Sequence, residues 1–146
     1  PPTDLSRRVI WSDLRFSSNG ISVSILNFGE LVALCRSPGL LTIRGANGVG
    51  KSSLLLDLKR HFGSGAFLLP ARHRLAFAHQ RKDLSTGEML REDLCEVDAR
   101  IQAEVILLDE WDANLDSENQ QAIMEVIALL SARTRVVEVR HRDVGA

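Results

Sequence analysis

An α/β fold is predicted for this 146-residue chain: a mainly parallel central sheet flanked by helices, with an antiparallel β portion at its N-terminal end. Three observations carry the prediction. Short strand-like runs at Leu40–Arg44, Ala66–Leu69, Val105–Leu108 and Arg135–Arg140 alternate with segments of helical period, the order that builds parallel sheets. Val105-Ile106-Leu107-Leu108 is apolar without interruption, as a strand covered on both faces should be. Finally, the stretch from Leu40 to Ser53 passes from strand through a glycine-rich loop into a helical pattern.

Taken in order, the chain opens with Val9-Ile10-Trp11 and Ile21 to Ile25, β-branched or alternating segments around the turn Ser17-Ser18-Asn19-Gly20. They predict a hairpin. Glu30 to Cys35 reads as a further short strand and Ser37-Pro38-Gly39 as a turn. After the glycine loop, Leu54, Leu55 and Leu58 share one face of a helix running from Lys51 to about His61, stopped by Gly63-Ser64-Gly65. Ala66 to Leu69 is a buried strand ended by Pro70, and Leu75 to His79 suggests another. Leu90, Leu94, Val97 and Ile101 recur at helical spacing and predict a helix from near Ser85 to about Ala103. Ser117 to Ala132 reads as helix and Arg135 to Arg140 as the last strand.

Composition places the chain in the globular class, with 45% hydrophobic and 25% charged residues. Residues 1–146 are expected to form one domain with a core that needs no staples. No apolar run approaches the ~20 residues that span a bilayer, and no charged-then-apolar leader opens the sequence. A cytoplasmic location is the expectation, and Cys35 and Cys95, which lack metal-ligand spacing, suit a reducing compartment. The net charge of −1 hides an uneven distribution: Lys59 to Lys82 contains no acid, whereas Asp83 to Glu118 is dominated by Asp and Glu. Such runs are solvated faces by default; the sharper readings are a basic patch for nucleic acid or complementary faces for self-association.

Gly45-Ala46-Asn47-Gly48-Val49-Gly50-Lys51-Ser52 fits the pattern G-x-x-x-x-G-K-[ST], the phosphate-binding loop of P-loop NTPases. The chemistry explains the residue types. Glycines let successive N–H groups converge on an anion, and the helix that follows adds its unpaired N–H groups and positive dipole end. Lys51 would reach the β- and γ-phosphates, and the Ser52 hydroxyl would ligate Mg²⁺. Gly45, Asn47, Gly48, Gly50, Lys51, Ser52 and Ser53 are therefore the candidate nucleotide-binding residues. A second constellation is Asp109-Glu110 after the apolar run Val105–Leu108. Ligands gather at the carboxyl ends of parallel strands, so both carboxylates are expected to face the loop. Asp109 would hold Mg²⁺ beside Ser52, and Glu110 would polarise the attacking water.

With these residues in place the chain resembles the ATP-binding-cassette (ABC) ATPases. Leu84-Ser85-Thr86-Gly87-Glu88 looks like that family's signature loop, Ala113-Asn114-Leu115-Asp116 like its D-loop, and His141 like its switch histidine. The intervals from Ser85 to Asp109 and from Asp109 to Asp116 are similar to the family's. Each segment has a plainer reading: Ser85-Thr86-Gly87-Glu88 is also a capping box, Asp116 or Ser117 a helix N-cap, and His141 a surface histidine. The resemblance implies an ATPase that dimerises head to tail, with ATP between the phosphate loop of one copy and the signature loop of the other. It further implies that Ser85 and Gly87 contact the γ-phosphate in trans and His141 in cis, with Asp116 joining the two sites.

Two departures qualify the match. The interval from Lys51 to Leu84 is too short for the helical subdomain the family carries there. Gln80, the candidate for the family's metal-binding Q-loop glutamine, stands almost against Leu84. Ser18 occupies the place of the usual adenine-stacking aromatic, with Trp11 and Phe16 as nearby substitutes. The expected function is ATP binding and hydrolysis powering a membrane transporter from the inner face of the membrane. A DNA-acting ATPase of the chromosome-maintenance type and a nucleotide-gated interaction module are the alternatives.

Overall fold

The computed structural model describes residues 9–46, 48–69, 94, 103–113 and 115–140. Strands β1 (Arg15–Ser18) and β2 (Ile21–Val23) are followed by helix α1 (Phe28–Leu34), strand β3 (Gly39–Arg44), helix α2 (Lys51–Phe62) and strand β4 (Ala66–Leu69). After the residues outside the description come β5 (Val105–Asp109), α3 (Ser117–Ser131) and β6 (Arg135–Val139). The strands form one six-stranded sheet in the order β2-β1-β3-β6-β5-β4. β3, β6, β5 and β4 run parallel, and β1 is antiparallel to both β2 and β3. The fold is thus α/β with a mixed, mostly parallel sheet flanked by helices, as expected.

Period-2 alternation assigns the side chains to two cores. Leu41 and Ile43 of β3, Val105 and Leu107 of β5, and Val137 and Val139 of β6 pack with Leu31 and Val32 of α1 and Leu54, Leu55 and Leu58 of α2. Ile106 and Leu108 of β5 and Val136 of β6 meet Ile123, Val126, Ile127 and Leu130 of α3 on the opposite face. Every residue of β5 from Val105 to Leu108 is buried, which is why its sequence shows no polar alternation. Leu94 is helical and fully buried in the second core.

Two N-terminal expectations are corrected. Val9-Ile10-Trp11 is not a strand: Trp11–Asp13 form a 3-10 turn, and the hairpin pairs Arg15–Ser18 with Ile21–Val23. Ile10 donates its N–H to the carbonyl of Val49 (3.1 Å), so this segment braces the glycine loop instead of extending the sheet. Glu30 to Cys35 is helix, not strand. Asn27 caps α1 by accepting from the Glu30 N–H (2.9 Å) while donating to the Glu30 carboxylate (3.2 Å), a reciprocal cap that fixes the first turn. The suggested strand at Leu75–His79 and nearly all of the predicted helix from Ser85 lie outside the described residues.

Candidate functional site

β3 delivers the glycine loop to the N-terminus of α2, and the turn conformations explain its composition. Gly48 and Gly50 have φ of 88° and 100°, and Gly50 is the N-cap of α2. An L side chain at either position would be strained. The Leu54 N–H bonds the Gly50 carbonyl (3.0 Å), closing the first helical turn. The N–H groups ahead of it have no partner within the helix by the geometry of a helix start, and the dipole adds positive potential there.

Lys51 is only 6% exposed, and its ammonium donates to the Gly45 carbonyl, folding the side chain back over the loop. Three N–H donors with one protein acceptor leave capacity for an anion. Ser52 faces the other way: its hydroxyl donates to Asp109 Oδ1 at 3.2 Å, joining the start of α2 to the end of β5. That contact arises because Ile43, Val139 and Asp109 lie side by side at the carboxyl ends of β3, β6 and β5.

The chain turns sharply after Asp109. Glu110 has φ 47°, a left-handed conformation uncommon outside glycine. Its N–H donates to the Val139 carbonyl (2.8 Å), and its own carbonyl accepts from the Ala113 N–H (3.3 Å). Trp111 and Asp112, which follow, are buried. Beyond the turn, Asp116 is the N-cap of α3, accepting from the Asn119 N–H at 2.7 Å. The capping reading of Asp116 therefore holds.

The geometry brings Gly45, Gly48, Gly50, Lys51, Ser52 and Ser53 together with Asp109 and Glu110 at one end of the parallel strands. Asn47, Gln80, Ser85, Gly87 and His141 lie outside the described residues. Ser52 and Asp109 offer hard oxygen donors suited to Mg²⁺. Among the described residues no group of three or more His, Cys, Asp or Glu side chains could hold a metal ion alone. A cation here would complete its shell with water and substrate oxygens, as Mg²⁺ in phosphate sites does.

One set of residues escaped the sequence reading. Thr42, Asp112, Glu138 and Arg140 are buried polar groups on the α3 side of the sheet, around Trp111. The available signal was Glu138, a carboxylate between Val137 and Val139 in an otherwise apolar strand.

The chain matches no protein-family model. Over 74 residues, 51% of its length, it is 34% identical to the ABC multidrug transporter mdr4 of Aspergillus fumigatus, and that stretch is 6% of the transporter. The chain thus spans a small fraction of that relative's length, and what the comparison establishes is local similarity to an ABC transporter.

Proposed function

We propose that this chain is an ABC-type P-loop ATPase domain that binds MgATP at Gly45–Ser53 and hydrolyses it. The observation that carries the reading is the meeting of a buried lysine on a positive-φ glycine loop with the Ser52–Asp109 contact at 3.2 Å. A glycine-rich strand-to-helix turn with a purely structural role has no need of that lysine and those carboxylates at one strand end.

In this reading Lys51 and the N–H groups of the loop and the first turn of α2 neutralise charge on the β- and γ-phosphates. Ser52 and Asp109 would hold Mg²⁺, with Gln80 as a further ligand, and the bound ion would supply Lewis-acid stabilisation of phosphoryl oxygens. Glu110 accepts a hydrogen bond from the attacking water and orients it in line with the γ-phosphate. His141 contacts the γ-phosphate from the same copy, and Ser85 and Gly87 contact it from a second copy bound head to tail. Asp116 lies near that junction while capping α3. The local similarity to a transporter favours a membrane partner moved by this cycle, with the domain at the cytoplasmic face. No helix among the described residues is long and apolar enough to cross a membrane.

Turnover is the test. MgATP hydrolysis by the wild-type chain should fall at least a hundredfold in Glu110→Gln while nucleotide still binds, the scale on which general-base removal acts. Unchanged hydrolysis in Glu110→Gln would remove Glu110 from the mechanism.

A further inference from the structure

On the α3 side of the sheet a chain of buried polar contacts runs up to Glu110. Glu138 is 2% exposed and stands between β3 and β5, in register with Thr42 and Leu108. Both its oxygens are used. Oε2 accepts from the Thr42 hydroxyl at 2.6 Å, and Oε1 accepts from the Trp111 indole N–H at 2.7 Å. Arg140 lies with its guanidinium 4.7 Å from the Trp111 ring centroid, donates to Asp112 Oδ2 at 3.2 Å and approaches Glu138 Oε1 at 3.8 Å. Two acids and one arginine are therefore buried together, in a layer where alternation calls for apolar side chains. Such a set is costly to desolvate and specifies one arrangement only when its members are satisfied.

The set grips the two residues that follow Glu110. Trp111 is held by Glu138 at its indole N–H and by Arg140 over its ring, and Asp112 by Arg140. On the other side, the Glu110 N–H is tied to Val139, one residue from Glu138 on the same strand. Glu110 itself is held at a positive φ that an unconstrained glutamate would leave. A carboxylate that must orient a water tolerates displacements well under an ångström before rate is lost. The glycine loop, by contrast, is held by the Ile10 N–H on the Val49 carbonyl and by the Lys51 ammonium on the Gly45 carbonyl, neither of which involves a side chain of this set.

We infer that Glu138 is a positioning residue: through Trp111, and with Thr42 and Arg140, it holds the backbone at Glu110 in the orientation that hydrolysis requires, without serving nucleotide binding. This rests on the ATPase reading above, and it separates two quantities that a role in folding alone would leave unaltered in the folded protein.

The experiment measures kcat and nucleotide Kd for wild type, Glu138→Leu, Glu138→Gln and Thr42→Val, each corrected for its folded fraction by urea unfolding. Glu138→Leu is expected to lower kcat at least tenfold with Kd within twofold of wild type. Glu138→Gln, whose amide can still accept from Trp111, should recover much of that loss. Thr42→Val, a near-isosteric change that removes one contact to Oε2, should cost about threefold in kcat. If Glu138→Leu does not fold, Thr42→Val decides, and an unchanged kcat in that variant overturns the inference. Equal losses in kcat and affinity also overturn it. No turnover by wild type overturns the ATPase reading and this inference together, whereas wild-type turnover with normal kcat in Glu138→Leu and Thr42→Val overturns the inference alone.

Discussion

Lys51→Met should leave the fold intact and abolish useful nucleotide affinity, opposite demands on one side chain that can be separated by measurement. Lys51 as a residue is 6% exposed, and the protein acceptor of its ammonium is the Gly45 carbonyl. Removing it forfeits one charge-assisted hydrogen bond, about 1.5–3 kcal/mol. It also removes the penalty of burying a charge, several kcal/mol per ion in real proteins. Methionine fills nearly the same volume along the same stem, so packing changes little. The two terms offset, and unfolding free energy should shift by less than about 1 kcal/mol in either direction. In the nucleotide complex nothing offsets the loss of a charged donor to phosphate, worth about 1.5–3 kcal/mol, so affinity should fall roughly 10- to 150-fold. Urea unfolding and calorimetric titration with MgATP report the two numbers. A variant destabilised by more than about 2 kcal/mol with unaltered affinity would show Lys51 to be a structural latch on Gly45 and refute the phosphate assignment.

Two further outcomes test the local physics. Gly48→Ala introduces a Cβ with nothing within 4 Å but at φ 88°, so the cost is backbone strain alone; unfolding should become about 1–2 kcal/mol easier, and a neutral result would mean the loop takes another conformation. Cys35 is buried, and that burial, opposed by the positive charge of Arg135, pushes its thiol from the usual 9.0 up to about 11. Between those values the unfolded chain loses the proton while the native one keeps it, so stability falls as pH rises from about 9 to 11, by up to about 3 kcal/mol, and is unaffected below. Urea unfolding at pH 8.5 and 10.5 should show a smaller fall for Cys35→Ala than for wild type; equal falls would contradict the assignment.

What could be read from the residues and what could not divide along physical lines. β5 was legible because four consecutive apolar residues before paired acids fit few other arrangements. The loop was legible because positive-φ glycines, a lysine and a hydroxyl at fixed spacing have one common purpose. Glu30–Cys35 was misread because a short apolar segment carries no decisive period, and the Asn27–Glu30 cap that settles it lies at and before its edge. Val9-Ile10-Trp11 has strand-forming residues, yet the Ile10 N–H is claimed by the Val49 carbonyl, a contact distant in sequence that no local pattern announces. The Glu138 set was hidden for the same reason. Thr42, Trp111 and Glu138 are dispersed in sequence, and only the parallel pairing of β3, β6 and β5 brings them into one layer.

At the centre of the proposed ATPase cycle, the loop at Gly45–Ser53 is one half of a site completed by another copy of the chain. The direct measurement is the molar mass in solution of Glu110→Gln with saturating MgATP, beside the same protein without nucleotide. Slowed hydrolysis should trap the closed form, giving a dimer with MgATP and a monomer without. A nucleotide-saturated protein that remains a monomer would contradict the composite site.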